Sequence, residues 1–67
     1  MAKFSERLKE LRMDKNLTQT AVAKSTELSQ NAIAQWESEK RVPNANAIVI
    51  LARFFGVSAG YLLGEED

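Results

Sequence analysis

Four residues that favour the start of a helix divide this chain into short segments, and this pattern restricts the fold more than any other feature. Thr18, Ser29, Asn44 and Ser58 are N-cap residue types, and each precedes apolar residues at helical spacing. No stretch alternates apolar and polar residues with a period of two for long enough to predict a strand. The sequence therefore predicts a compact all-α domain of five short helices.

The apolar residues between these caps give the approximate limits of the helices. The first helix carries a stripe at i, i+4 and i+7 and should end near Asn16. The second and third are expected over about residues 18–25 and 29–38, and the fourth should end at Gly56, a glycine suited to the C′ position. Its predicted core-facing residues are Ala47, Ile48, Leu51 and Phe55. Residues 1–67 are expected to form one domain.

Composition removes several classes of function. The 67 residues contain no cysteine and no histidine, so disulfides, thiolate metal sites and the commonest general base are absent. Since no carboxylates cluster in a plausible pocket either, we expect neither an enzyme nor a cofactor, metal or small-molecule ligand. The N-terminus lacks the apolar region of a secretory signal, and the longest apolar run, at 47–52, is too short to span a bilayer. A soluble cytoplasmic protein is expected.

The charge balance alone is uninformative. The formal net charge is zero, but Glu65, Glu66 and Asp67 form an acidic tail. Residues 1–64 carry nine basic and six acidic side chains, which is a weak electrostatic signature for a nucleic-acid-binding protein. On charge alone, an ordinary solvated surface is the better interpretation.

The third predicted helix carries uncharged polar side chains on one side. At about 100° per residue, Ile33 and Glu37 fall together with Trp36 adjoining, so this side should pack against the core. The opposite side carries Gln30, Asn31, Ala34, Gln35 and Ser38. An amide both donates and accepts, so Gln or Asn can bond adenine in a bidentate way in the major groove, and the Ala34 methyl can touch a thymine methyl. The plainer alternative is that exposed amides serve as neutral polar surface.

The second and third helices, with a turn of about three residues between them, have the lengths of a helix-turn-helix motif spanning about 18–38. The chain here resembles the Cro and phage-repressor type of helix-turn-helix protein, often called Xre-like. The resemblance extends from about Ser5 to Gly64. It rests on LTQ at 17–19, Ala23, LSQNAI at 28–33, WE at 36–37, KRVPN at 40–44 and LARFFGVSAGYLL at 51–63.

The resemblance implies contacts with double-stranded DNA. It implies that Gln30, Asn31 and Gln35 face base edges, and that Gln19 bonds a phosphate with help from the partial positive charge of its helix end. Further backbone contacts are expected from Ser29, Ser38, Lys40 and Arg41. The last two match a basic loop that in relatives lies along the backbone or reaches toward the minor groove. A solvated loop is the plainer interpretation of that loop.

Two further roles are implied by the resemblance. Arg12 and Glu37 match a pair that ties the first helix, by a salt bridge, to the second helix of the motif, which is called the recognition helix. The surplus of apolar residues on the fourth helix, among them Val49 and Ile50, agrees with homodimerisation through the C-terminal third. The residues expected at that interface are Phe54, Val57, Tyr61 and Leu62. The alternative is an unusually apolar core helix.

Two positions depart from the pattern of the resembled family. Glu27 stands in the turn where glycine is favoured, and a left-handed conformation there costs roughly 1 kcal/mol, so a differently built turn is expected. Ala21 stands where a glutamate often completes a capping box with Thr18. Both departures affect local stability rather than the reading face.

The sequence thus predicts a DNA-binding transcriptional regulator of the repressor type that binds a palindromic operator as a homodimer. The alternative is an antitoxin-like module that uses the apolar surface of the fourth helix to bind a different protein.

Overall fold

The computed structural model describes residues 3–66 and contains no strand within them. Five helices follow one another along the chain: α1 (Phe4–Asp14), α2 (Gln19–Thr26), α3 (Gln30–Glu37), α4 (Ala45–Phe55) and α5 (Ala59–Leu62). Their principal extents are 27 × 23 × 20 Å. The structure confirms the predicted all-α, five-helix fold. Asp67 of the acidic tail lies outside the described residues.

Each of the last four helices begins at the residue that the sequence predicts. The hydroxyl oxygens of Thr18 and Ser29 accept from backbone N–H groups three residues later, both at 3.0 Å. Asn44 Oδ1 accepts in the same way at 2.8 Å, and Ser58 Oγ at 3.0 Å. Each cap satisfies one backbone donor that the helix itself leaves unpaired, and each removal typically costs about 1 kcal/mol.

One core holds the helices together. Its fully buried side chains come from all five helices: Leu8, Val22, Ile33, Leu51 and Leu62. Trp36 is 5% exposed and meets the ring of Phe4 edge-on, with 6.4 Å between the ring centroids. Trp36 is therefore a core residue that joins α3 to the start of α1.

The turn between α2 and α3 contains a residue in the left-handed backbone conformation, although that residue is a glutamate, which disfavours it. Glu27 has φ 62° and ψ 19°, so the expectation of a differently built turn is wrong. Thr26 supports this conformation, because its hydroxyl donates to Val22 O at 2.7 Å and accepts from the backbone N–H of Leu28 at 3.4 Å. These hydrogen bonds help to hold residue 27 in a conformation that its own side chain disfavours.

Candidate nucleic-acid interface

The recognition helix α3 has two chemically different sides. Ile33 is fully buried and Trp36 nearly so, and together they anchor the helix to the core. Gln30 and Asn31 are exposed, whereas Gln35 is half-buried. The half-buried Ala34 leaves only a methyl group between the amides, so a neighbouring molecule can approach the helix backbone closely. The buried side fixes the helix, and the other side presents amides outward.

A salt bridge between α1 and the end of α3 fixes the position of the recognition helix. Arg12 Nε donates to Glu37 Oε2 at 2.7 Å, and Arg12 Nη2 donates to Glu37 Oε1 at 2.9 Å. The guanidinium and carboxylate side chains are only 14% and 5% exposed. Arg12 Nη1 also donates to the carbonyl of Leu17 at 2.8 Å, which ties the same group to the segment before α2. Arg12 therefore contacts the chain at both ends of the helix-turn-helix motif, just before α2 and at the end of α3.

The ion pair also sets the charge state of Arg12. The hydrogen bond to Glu37 raises the pKa of Arg12 above its ordinary value, and the nearby carboxylate charge adds to this, although burial acts in the opposite direction. Because the pKa of Arg12 is higher in the folded state than in the unfolded state, the ion pair contributes its full stabilisation at any pH below the unfolded pKa. That stabilisation is lost only as the pH rises through the folded-state pKa. The Arg12 side of the pair thus stays charged throughout the neutral range.

Hydrogen bonds between side-chain amides connect the salt bridge to the outer side of α3. Gln19 Nε2 donates to Glu37 Oε1 at 3.2 Å, and Gln30 Nε2 donates to Gln19 Oε1 at 2.9 Å. Gln30 keeps one N–H and its carbonyl oxygen for a ligand, and Gln19 keeps one N–H. Because each amide is held by the next group, both side chains are oriented before any ligand arrives.

The link between Gln19 and Gln30 has no signal in the sequence. Both residues are predicted contacts, but eleven positions separate them, and their distance depends on the angle at which α2 meets α3. Only packing of the two helices decides that angle. The structure therefore joins two site residues that sequence reasoning treats separately.

The other predicted backbone contacts lie around the two ends of α3. Ser29 caps the helix and is exposed, and the Ser38 hydroxyl donates to the carbonyl of Gln35 at 3.2 Å. Lys40 and Arg41 are exposed in the following loop. The positive charges of both side chains are thus accessible to a ligand just after the end of α3.

The residues predicted for a dimer interface do not all lie on the surface. Phe54 and Val57 are half-buried against the core, and Tyr61 is half-buried beneath the guanidinium of Arg7, whose Cζ lies 4.0 Å from the ring centroid. Leu62 is 0% exposed, so its assignment to the interface is wrong. Its side chain fills the space between α5 and the other helices, where a partner cannot reach it. Val49, which is 42% exposed, is a better interface candidate.

Comparison with known proteins agrees with this geometry. Residues 5–67 match the family described as a helix-turn-helix domain. The chain belongs to this family. A crystal structure of the P22 c2 repressor in complex with a synthetic operator superposes with a TM-score of 0.89 at 29% sequence identity, covering 98% of this chain and 100% of that one. The predicted resemblance to phage-repressor helix-turn-helix proteins is thereby confirmed.

Curated relatives in the helix-turn-helix family include regulators of both signs. The transcriptional activator BcrR of Enterococcus faecalis is 41% identical over 64 residues, which are 96% of this chain and 31% of that protein. The cryptic phage CTXphi repressor RstR of Vibrio cholerae is 27% identical, with 96% and 58% covered. This chain thus spans about a third to just over half of their lengths. Both are transcriptional regulators, and the family is one of non-enzymatic DNA-binding regulators.

Within residues 3–66, no helix has the length and apolar character needed to cross a membrane.

Proposed function

We propose that this helix-turn-helix domain is a sequence-specific repressor that places α3 in the major groove of a palindromic operator and binds it as a homodimer. The observation that carries the proposal is the position of the amides. Gln30 and Asn31 are exposed and Gln35 is half-buried, while Ile33 and Trp36 bury the other part of α3 in the core. The hydrogen bonds from Gln30 through Gln19 and Glu37 to Arg12 hold that helix in place. The P22 c2 repressor, solved with an operator, has the same fold over almost the whole chain.

Base reading follows from the free groups on the amides. Gln30 retains an acceptor and one N–H after bonding Gln19, which matches adenine N6 and N7. Gln35 and Asn31 offer the same chemistry on adjacent turns, and Ala34 provides a methyl for thymine. Each bidentate amide contact contributes about 1–3 kcal/mol of discrimination against the wrong base.

Backbone contacts position the domain on the duplex. The free N–H of Gln19 lies at the N-terminal end of α2, where the helix dipole favours a phosphate. The hydroxyls of Ser29 and Ser38 and the charges of Lys40 and Arg41 lie near the two ends of α3 and extend this contact. With few cations in the set, we expect a shallow dependence of affinity on salt and weak non-specific binding.

The apolar residues of the C-terminal third, from α4 onward, support dimerisation. Val49 and Leu63 are each 42% exposed, and Phe54 and Val57 are only half-buried. A two-fold axis through this surface places two recognition helices on half-sites about one helical turn apart. Val49→Lys should therefore yield monomers in sedimentation, because a buried charge opposes association. Met13→Lys, at a 57% exposed position on α1, is the matched control and should leave association unchanged.

The decisive experiment is selection of binding sites from random double-stranded DNA. A palindrome with adenine or thymine preferences at defined positions is the expected result, and Gln35→Ala should lose those preferences while remaining folded. Failure to enrich any sequence would overturn specific binding. Enrichment of a single half-site would overturn the homodimer alone. A reporter with the selected site across its promoter tests the sign, and increased expression would contradict repression.

A further inference from the structure

Lys3 occupies the N-cap position of α1 and suits it poorly. Its backbone has φ −89° and ψ 158°, and its side chain makes no capping hydrogen bond. Serine, threonine, asparagine and aspartate are preferred there, and a positive charge at a helix N-terminus opposes the helix dipole. A residue that breaks the local rules of its element usually serves a contact elsewhere.

The ammonium of Lys3 lies against the loop that follows the recognition helix. Its Nζ donates to Glu39 Oε1 at 3.1 Å, across 36 positions of the chain. The backbone N–H of Glu39 donates to Trp36 O at 3.3 Å, and that of Lys40 donates to Gln35 O at 2.9 Å. These bonds fix the start of the loop to the end of α3. Lys3 is therefore held beside the loop that carries Lys40 and Arg41.

A groove of about 220 Å³ lies between the start of α1 and this loop. Two cations, one carboxylate and several apolar groups line it, among them Lys3, Arg41, Glu39, Phe4 and Val42. Val42 is 88% exposed, more than any other large apolar residue among those described. Cations beside exposed aliphatic carbon match a phosphodiester joined to a deoxyribose, because the phosphate needs donors and the sugar offers an apolar surface.

The contact between Lys3 and Glu39 has little structural value of its own. The two side chains are 65% and 57% exposed, and ion pairs at such exposure contribute little to stability. An ammonium has three N–H donors, and Glu39 takes one of them. The other two N–H donors of Lys3 are therefore not used by this ion pair, and they lie next to the loop that carries Lys40 and Arg41.

We propose that Lys3 contacts a phosphate of the operator backbone while Glu39 holds it in place, and that Val42 packs against the adjoining deoxyribose. This inference rests on the proposed DNA binding through α3 and extends the footprint from the motif to the start of α1. The Glu39 carboxylate orients the ammonium but also repels the phosphate, so it lowers the affinity that Lys3 and Arg41 provide.

The test is the salt dependence of binding, measured by fluorescence anisotropy on the untagged full chain with its selected operator. Lys3→Gln should reduce the magnitude of the slope of log K against log salt by about 0.9 and weaken binding about fivefold to tenfold near 0.1 M salt. Glu39→Gln should tighten binding with the slope unchanged, because it keeps an acceptor for Lys3 and removes the repelling charge. Val42→Ser should weaken binding equally at every salt concentration, because its contact is uncharged.

Lys9→Gln is the matched control, since it removes the same charge from an exposed position of α1 that does not line the groove. It should change affinity less than twofold and leave the slope unchanged. An unchanged slope for Lys3→Gln, or an equal change for Lys9→Gln, overturns the contact. If the wild-type chain enriches no operator, the proposed function fails instead. Circular dichroism of every variant separates loss of contact from loss of fold.

Discussion

The recognition helix α3 and helix α4 begin alike and differ in what they present outward. Ser29 and Asn44 each accept a hydrogen bond from the backbone three residues later, at 3.0 and 2.8 Å. Each helix then directs an apolar seam into the same core, with Ile33 on one and Leu51 on the other fully buried. At the level of caps and seams, the two helices follow the same rules.

Their outer sides diverge. α3 exposes Asn31 and Gln30, and Gln30 is joined through Gln19 to the part-buried ion pair of Arg12 and Glu37. α4 instead leaves Val49 partly exposed and half-buries Phe54. The difference teaches that caps and seams determine where a helix lies, while the remaining side determines what it binds. Amides on a fixed helix suit a hydrogen-bonding ligand, and aliphatic groups suit another apolar surface.

The largest effect is expected from breaking the anchor that only α3 possesses. Glu37→Ala leaves the Arg12 guanidinium without its carboxylate at a site where the two side chains are 14% and 5% exposed. Such a stranded charge costs about 3–5 kcal/mol, a large share of the stability of a domain this small. Urea unfolding followed by Trp36 fluorescence should show a largely unfolded chain. A variant that stays fully folded but binds DNA poorly would contradict this expectation.

The exposed pair of Lys3 and Glu39 provides the matched control. Glu39→Ala removes a carboxylate from an ion pair of similar length, 3.1 Å, but at 57% exposure. The free energy of unfolding should change by less than about 1 kcal/mol, because water screens that pair. If both variants lose equal stability, burial is not the reason that Glu37 matters.

The fold was largely predictable, because it depends on local rules. The four caps and the apolar seam of α3 are readable from residue types and spacing, and Trp36 follows from its position beside Ile33. The errors concern arrangements that residue types do not reveal. Leu62 is apolar like an interface residue but is enclosed by the other helices. Glu27 adopts a left-handed conformation, which the hydrogen bonds of the Thr26 hydroxyl support.

The candidate site was predictable as a set of residues but not as an arrangement. The amide chemistry of Gln30 and Gln19 suggests contacts for each, yet the bond between them depends on an interhelical angle that no local pattern encodes. The contact of Lys3 with Glu39 likewise joins two residues that lie 36 positions apart in the chain. Long-range geometry is the part that the sequence leaves open.

The second-largest effect is expected on the outer side of α3. Gln35→Ala should reduce discrimination at one operator position by about 1–3 kcal/mol, because its amide is replaced by a methyl group that cannot pair with adenine. Thermal stability should change little, since Gln35 contributes no core packing. Affinity for operators mutated at each position measures this effect. Unchanged discrimination at every position would remove Gln35 from the readout.

The two caps should have equal effects on stability and unequal effects on binding. Ser29→Ala and Asn44→Ala each remove one backbone acceptor, so each should lower the free energy of unfolding by about 1 kcal/mol. Only Ser29 precedes the recognition helix, so only its loss should also weaken operator binding at a concentration where both variants are folded. Equal binding by both variants would show that the Ser29 hydroxyl acts as a cap alone.

The smallest effect concerns the ends of α2 and α4, which use the same conformation with different residues. Glu27 and Gly56 have φ 62° and 70°, and only glycine adopts such values without strain. Glu27→Gly should therefore stabilise the domain by up to about 1 kcal/mol, and Gly56→Ala should destabilise it by a similar amount. A Cβ at Gly56 meets nothing within 4 Å, so that cost would be conformational rather than a clash. Chemical denaturation measures both shifts.

A neutral or destabilising effect of Glu27→Gly would contradict this expectation. It would show that the side chain of Glu27 makes an interaction that offsets the backbone strain, so the left-handed residue before α3 would not lower the stability of the domain.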